Sequence, residues 1–313
     1  LRGETIKLPE KTTAFQDWAV KLLGYGQSQK LQAEVDYWLN QQWSDVVSLP
    51  IDYSETEAEN TVGNAVNVIQ TLSQEETTAL LQEVPSAYNT QINDVLLTAL
   101  VLSLAEWMGT NTVLIDLEGH GREELFADVN LSRTVGWFTS IFPVKLQLSS
   151  EDIGETLKSV KEQLRRIPER GIGYGILRYL SPDENIRIQL AALPQAEISF
   201  NYLGQFNSSQ AQQANWQGAR ESAGANQSPQ GNRTHLLGIN SSIAEGQLQI
   251  TWTYSSCSHK GTTITYLAEN YIQTLRNLIA HCQSPEVGGY TPSDFSTVDL
   301  TQEELDDIIT EID

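Results

Sequence analysis

An apolar run in the middle of the chain leads directly into a dense group of ionisable residues. Val113, Leu114 and Ile115 predict a buried strand, and residues 116–123 that follow have the sequence DLEGHGRE. Because burying an unpaired charge is costly, ionisable groups at the end of a buried strand usually face a cleft or a partner. The pattern therefore predicts a strand whose end presents an acid, an imidazole and a guanidinium to a site. These residue types suit general acid–base chemistry.

Composition excludes several classes of function. The chain has 313 residues, of which 40% are hydrophobic and 19% charged, as in a soluble globular protein with a sizeable core. A net charge of −21 argues against nucleic acid, because phosphate binding requires clustered Lys and Arg. The longest apolar run, residues 95–108, is too short and too polar to span a bilayer, so no membrane partner is expected. Cys257 and Cys282 give neither a metal motif nor a disulfide scaffold, which favours a cytoplasmic protein.

Hydrophobic periodicity predicts a mixture of helices and strands. Helices are predicted over residues 12–43 (as two helices, the second over 28–43), 73–82, 92–108, 153–166 and 262–282. Strands are predicted over residues 64–71, 112–117, 141–148 and 196–202, with a hairpin over 235–242 and 246–255 that turns at Glu245-Gly246. The irregular order of these elements indicates an α+β fold rather than a βαβ series.

Three segments are predicted to connect or flank these elements. Residues 52–60 form an acidic linker, residues 207–233 form a mobile excursion, and residues 301–313 form a short surface helix or a linker.

Five segments in chain order carry recognisable motifs. They are NDVLLTA at 93–99, EGHGRE at 118–123, RTVGWFT at 133–139 (closing with Phe142-Pro143), GIGYG at 171–175 and FNYLGQ at 200–205. Together they resemble the epimerization domains of nonribosomal peptide synthetases, within the condensation-domain superfamily. That family folds like chloramphenicol acetyltransferase, as two lobes with the active site in a tunnel between them. The resemblance implies an α+β fold with a mixed sheet and flanking helices.

One family motif is missing. The element His-His-x-x-x-Asp-Gly is absent, because the four histidines include no adjacent pair. In the family this element lies just upstream of residues 1–4, so the chain is interpreted as an N-terminally truncated piece of a larger synthetase. On this interpretation residues 1–62 are a remnant of the first lobe, residues 63–300 are the second lobe, and residues 301–313 are an acidic tail or linker.

The resemblance implies a reaction and a set of partners. An L-aminoacyl or peptidyl thioester on the phosphopantetheine of a peptidyl carrier protein would be converted to the D form, with no cofactor bound directly. Partners would be the carrier protein, other synthetase modules and the missing first-lobe segment. The alternatives are a condensation-type domain that forms peptide bonds, or a non-catalytic platform. EGHGRE and FNYLGQ favour epimerization, and the isolated chain is predicted to be inactive as an isomerase.

The EGHGRE motif supplies three candidate site residues. Glu118 is the candidate proton-transfer group, because a carboxylate in a narrow, partly dry site has a raised pKa; the alternative is a structural ion pair. Arg122 either orients Glu118 or anchors the strand end. His120 is either a substrate-binding residue or a hydrogen-bonded structural histidine. It is not expected to bind a metal, because no second His or Cys lies at ligand spacing.

The other motifs supply four more candidates. Asn201 and Tyr202 end a strand and would hydrogen-bond an enolate oxygen or orient the substrate. Side chains alternate along a strand, so only one of the two should face the tunnel unless the strand breaks, which Gly204 favours. Tyr202 is alternatively a core aromatic residue. Trp137 and Phe138 line the tunnel against the substrate or belong to the core. The glycines of GIGYG indicate a tight turn or a contact between lobes rather than a dinucleotide loop.

Overall fold

A computed structural model describes residues 8–53, 60–206, 221–295, 297–298 and 300–312. Its helices are α1 Phe15–Tyr25, α2 Gln29–Gln32, α3 Val35–Leu39, α4 Gln74–Gln82, α5 Val84–Tyr88, α6 Ile92–Met108, α7 Ile153–Arg165, α8 Ile172–Leu180, α9 Glu184–Ala191, α10 Gly261–Cys282 and α11 Gln302–Ile312. Its strands are β1 Ala65–Thr71, β2 Thr112–Gly119, β3 Ser140–Gln147, β4 Ile198–Phe206, β5 Leu237–Ala244 and β6 Gln247–Ser255. None of the helices in these ranges has the length and apolar character needed to cross a membrane.

The six strands form one open mixed sheet in the order β1-β6-β5-β4-β2-β3. Strand β6 pairs antiparallel with both β1 and β5, whereas β4 pairs in parallel with both β5 and β2. Helix α10 packs against β1, β6 and α6. Trp252 of β6 and Tyr271 of α10 are fully buried there, with ring centroids 5.8 Å apart. The mixed sheet with flanking helices confirms the α+β prediction.

Two compact units divide the described chain. Unit 1 contains residues through Trp43 together with Glu118–Phe142 and Ile167–Pro194. Unit 2 contains Ser44–Leu117, Pro143–Arg166 and the residues from Gln195 onward. The units are therefore discontinuous in sequence and do not coincide with the linear boundaries at residues 62 and 300. The assignment of those ranges to family lobes stays a prediction.

Local signals explain the elements that periodicity predicts well. Ser73 and Glu76 form the capping box that begins α4. In the hairpin, Glu245 (φ 53°) and Gly246 (φ 78°) both adopt the left-handed conformation that a tight two-residue turn requires. Helix α6 is buried on most sides, and the hydroxyls of Thr98 and Ser103 donate to the carbonyl oxygens one turn earlier. These bonds allow polar residues inside an apolar helix.

The aspartate of the first motif has a structural partner. Asp94 is 1% exposed, and its two carboxylate oxygens accept hydrogen bonds from the two terminal guanidinium nitrogens of Arg165, at 2.9 and 2.7 Å. It also accepts the backbone N–H of Gln91 at the start of α6. The motif at residues 93–99 therefore joins α6 to α7 through a buried bidentate pair.

The structure corrects the prediction of one continuous helix over residues 28–43. The chain instead forms α2 and α3, separated by a turn at Ala33 and Glu34. Glu34 is buried, and its Oε2 lies only 2.0 Å from where a Cβ on Gly173 would stand. Packing against α8 thus overrides the local helical preference.

Other elements differ from the prediction in extent. Strand β2 continues two residues further, through Glu118, to Gly119, and β4 continues to Phe206. The sequence pattern does not predict helices α8 and α9, because glycines at 173 and 175 lower the helix propensity of the first. Residues 301–312 include the predicted surface helix, α11. Residues 54–59 of the acidic linker and 207–220 of the predicted excursion lie outside the described residues.

Candidate functional site

Glu118 lies near the end of β2, where the strand leaves the interior. Val113 and Ile115 are fully buried, Asp116 and Leu117 are half-buried, and Glu118 is exposed. The exposure of Glu118 does not test the narrow, partly dry environment that the sequence predicts, and its role in proton transfer stays a prediction. Strand β2 pairs with β4 at Asp116–Ser199 and Leu117–Phe200, so Glu118 directly follows the last residue of this ladder.

Arg122 is engaged with the loop that connects β2 and β3, residues 120–139. Its guanidinium donates to the carbonyl oxygen of Leu131 and, at 2.9 Å, to that of Thr134. The guanidinium carbon also lies 4.0 Å from the ring centroid of Phe138. These contacts close the β2–β3 loop on itself, and they favour the anchoring role of Arg122 over direct chemistry.

His120 has both ring nitrogens occupied within the same loop. Nδ1 accepts the backbone N–H of Arg122 at 2.9 Å, and Nε2 lies 3.4 Å from Oε1 of Glu123. Since Nδ1 is an acceptor, the proton of the neutral ring is on Nε2 and points towards Glu123. This arrangement favours the structural histidine over the substrate-binding one.

Glu123 is a residue that sequence reasoning missed. Its side chain is 10% exposed and lies between His120 and Arg170, with Oε2 3.7 Å from Nη1 of Arg170. In the sequence, only its place in EGHGRE indicates that Glu123 belongs to the site, because its partner Arg170 is 47 positions later in the chain. The carboxylate links the β2–β3 loop to the turn that precedes α8.

The turn before α8 is built from consecutive left-handed residues. Glu169 (φ 42°), Arg170 (φ 53°) and Gly171 (φ 83°) adopt this conformation, and Glu169 forms an ion pair with Lys30. A Cβ on Gly171 would stand 2.3 Å from the ring of Phe142, so only glycine fits. The tight turn predicted from GIGYG is confirmed at Gly171, whereas Gly173 and Gly175 lie inside α8.

Close backbone approach also explains Gly121. It has φ 67°, and a Cβ on it would stand 1.6 Å from the carbonyl oxygen of Phe138. Phe138 itself is 9% exposed and packs edge-to-face on Phe15 of α1, at 5.1 Å between centroids. This contact favours a core position for Phe138. Its neighbour Trp137 is 85% exposed, and its role in substrate binding stays a prediction.

Unit 1 also contains a buried carboxyl group without a hydrogen bond. Neither oxygen of Glu34 has a hydrogen-bond partner among the described residues. Burial raises the pKa of Glu34 to about 7, and the negative charge of Glu169 adds to the rise. The indole N–H of Trp38, which is close to the carboxyl group but does not form a regular hydrogen bond with it, and the charge of Lys30 offset part of this rise. The nearby hydroxyl of Tyr25 is likewise buried without a partner in the described chain, and burial raises its pKa.

Asn201 and Tyr202 lie on β4 in unit 2, just before an irregularity in the strand. Tyr202 pairs with Ser241 of β5, but the next pair is Gln205 with Ile243, so β4 has one extra residue there. Gly204 has φ 86°. The break expected from Gly204 is confirmed, but it follows Tyr202. Asn201 and Tyr202 both precede the irregularity, so the regular alternation of side chains applies to them and they point to opposite faces of the sheet.

The environments of these two residues differ from that of Glu118. Both are half-buried. Burial raises the pKa of the Tyr202 phenol above its ordinary value, so the hydroxyl stays a neutral hydrogen-bond donor at physiological pH. The backbone carbonyl of Asn201 accepts the hydroxyl of Ser241 at 3.2 Å.

The chain matches the family model described as "Condensation domain" over residues 1–301. It belongs to the condensation-domain family. Gramicidin S synthase 1 of Brevibacillus brevis is 42% identical over 98% of this chain, and tyrocidine synthase 2 of Brevibacillus parabrevis is 41% identical over 99%. The chain spans only 29% and 9% of these two relatives, respectively.

Solved structures agree with this assignment. The epimerization domain from the third module of tyrocidine synthetase B is 40% identical, with a TM-score of 0.81 over 90% of this chain and 62% of that one. A cyclization–docking bidomain from Sorangium cellulosum shares the fold at 17% identity, with a TM-score of 0.63 over 88% of this chain and 54% of that one. The chain is thus a nonribosomal peptide synthetase domain of condensation or epimerization type, with the chloramphenicol acetyltransferase-like fold.

Proposed function

We propose that this condensation-family chain is part of an epimerization domain that inverts the α-carbon of an aminoacyl or peptidyl thioester on a carrier protein. The observation that carries the proposal is the EGHGRE motif, in which the neighbouring side chains hold the loop while Glu118 is presented at the strand end. The tyrocidine synthetase domain with 40% identity is itself described as an epimerization domain, which supports the same interpretation.

In the proposed reaction Glu118 transfers the α-proton in one direction. Breaking the Cα–H bond leaves its electron pair delocalised into the thioester as an enolate, and a proton is then returned to the opposite face. The enolate oxygen requires a hydrogen-bond donor, and the neutral phenol of Tyr202 and the amide of Asn201 are of the right type. Because these two side chains point to opposite faces of the sheet, we expect one of them to serve the substrate. The phosphopantetheine arm of the carrier protein delivers the substrate.

The second proton-transfer group belongs to the histidine element that this chain lacks. We therefore expect the chain alone to be inactive, and activity to require the predicted first-lobe segment. The test loads a carrier protein with a panel of L-aminoacyl thioesters and measures α-proton exchange in heavy water. The chain alone should give no exchange, whereas the chain supplied with the first-lobe segment should.

Glu118→Gln in the reconstituted domain sharpens the test. Loss of a proton-transfer group should lower the exchange rate by about 10²–10⁴-fold. Glu124→Gln is the matched control, since Glu124 is a nearby exposed carboxylate in the same loop and should leave exchange unchanged. Exchange by the chain alone would refute the two-part site. Peptide-bond formation without exchange would favour a condensation domain, and neither activity in a folded domain would favour a carrier-protein platform.

A further inference from the structure

A hydrogen-bonded contact between a histidine and an aspartate in unit 2 belongs to none of the five motifs. Nε2 of His235 lies 2.8 Å from Oδ2 of Asp116, and the two side chains are only 15% and 21% exposed. The other ring nitrogen of His235, Nδ1, lies 2.9 Å from the hydroxyl of Thr234. The pair joins residues that are 119 positions apart in the chain. A contact this short and this shielded from solvent is stronger than an ordinary surface pair.

The contact connects β2 to the residues just before β5, and these two strands are not neighbours in the sheet. Asp116 lies in β2, and His235 lies two residues before the start of β5, whereas β4 separates β2 from β5 in the sheet. Asp116 is itself one of the two residues through which β2 pairs with β4. The side-chain contact therefore reinforces the short ladder between β2 and β4 near the end of β2.

His235 is well placed to act as the fixed end of this contact. Its carbonyl oxygen accepts the side-chain amide of Asn60 at 2.9 Å. Two residues earlier, the guanidinium of Arg233 donates to Oδ1 of Asn60 and to the carbonyl oxygen of Thr253, at 2.9 and 3.0 Å. The segment 233–235 is thus tied to β6 and to the chain before β1, so His235 has little freedom to follow a moving strand.

We propose that Asp116 and His235 are positioning residues that clamp the end of β2 across β4 and thereby set the location of Glu118. Side chains two positions apart share one side of a strand and are separated by about 7 Å. A shift of Asp116 is therefore transmitted to Glu118 within the same strand. The expected effect on catalysis rests on the proposed function, whereas the clamping of β2 by this contact does not.

The first test of the clamp measures amide hydrogen exchange and needs no enzymatic assay. Amide hydrogen exchange of residues 117–119 is measured in the chain with Asp116→Ala, His235→Ala and the double variant. Each single variant should speed exchange there by about 10-fold, and the double variant no further, because either change breaks the same contact. Arg276→Ala, which removes an exposed ion pair with Glu76, is the control and should leave these amides unchanged. Unchanged exchange, strictly additive effects, or equal acceleration across β6 would each overturn the proposal.

The second test uses α-proton exchange in the reconstituted domain. Asp116→Ala and His235→Ala should lower kcat by about 10-fold, with KM changed less than about twofold, since a displaced carboxylate affects the chemical step. Asp116→Asn keeps an acceptor for His235 and should restore most of the rate. The pH profile should keep its shape; a displaced profile would make the pair a proton-transfer group and overturn the positioning role. If Glu118→Gln is fully active, the proposed function fails while the amide-exchange result still decides the clamp.

Discussion

The β2–β3 loop of unit 1 and the β4–β5–β6 part of the sheet in unit 2 are stabilised differently. In the loop, Arg122 donates to carbonyl oxygens, and His120 lies between a backbone amide and Glu123. Position 121 requires glycine, because a Cβ there would overlap the backbone of Phe138. The sheet depends on long ladders and on apolar contacts such as that of Trp252 with Tyr271.

The two motifs EGHGRE and FNYLGQ therefore lie in different structural settings. Most of EGHGRE holds the β2–β3 loop through polar and backbone contacts, and Glu118 is the member left at the exposed strand end. FNYLGQ lies within the β4–β5 ladder, and the functional role of its Asn201 and Tyr202 stays a prediction.

Gly121→Ala should be the most damaging change in the loop. The new Cβ would overlap the carbonyl oxygen of Phe138, and the residue would have to adopt φ 67°. We expect the free energy of unfolding to fall by about 3 kcal/mol or more, measured by chemical denaturation. Gly175→Ala is the matched control, because its Cβ meets nothing within 4 Å inside α8 and should be neutral or stabilising. Equal effects of the two variants would contradict a loop held by backbone contacts.

Arg122→Lys separates anchoring from catalysis. Lysine keeps the charge but loses the forked donation to Leu131 and Thr134 and the stacking on Phe138. We expect the free energy of unfolding to fall by about 1–2 kcal/mol. The rate of α-proton exchange by the reconstituted domain should decrease only in proportion to the loss of folded protein. A large loss of rate in a fully stable variant would instead assign Arg122 to the chemistry.

Glu34→Gln should change the pH dependence of stability. Because the pKa of Glu34 is about 7 in the folded chain and its ordinary value is 4.5, the folded state binds this proton more tightly between these pH values. Its contribution to stability therefore declines as pH rises from 4.5 to 7, and above 7 the buried charge is a net cost. At a pH of about 8 the glutamine variant should be more stable by about 1–2 kcal/mol.

The pH profile supplies the control for Glu34. At a pH of about 4 both side chains are mostly neutral, so the two proteins should unfold at the same denaturant concentration. A stability difference that is independent of pH would mean that Glu34 is not the titrating group.

Trp137→Ala should have the smallest effect on stability. The side chain is 85% exposed, so the free energy of unfolding should change by less than about 0.5 kcal/mol. If Trp137 contacts the substrate, KM for the carrier-bound thioester rises while the unfolding curve stays in place. An unchanged KM would remove Trp137 from the substrate-binding residues.

Much of the local structure follows from the sequence alone. The capping signature at residues 73–76 predicts α4, the apolar residues predict α6, α7 and α10, and the alternation in β1 and β6 predicts their strands. The left-handed pair Glu245-Gly246 encodes the hairpin turn. In each case the decisive interaction acts between residues close in the chain, so a window of a few residues contains the information.

The remaining features depend on residues that are distant in the chain. Packing on Gly173 breaks the helix at Glu34, 139 positions earlier, and His235 meets Asp116 across an intervening strand. The sequence alone identified Glu118 as the candidate acid–base residue and the chain as a member of its family. The exposure of this carboxylate and the binding of Arg122 and His120 to their own loop depend on the folded chain. Burial and partner choice are set by which segments pack together, and local pattern does not specify that packing.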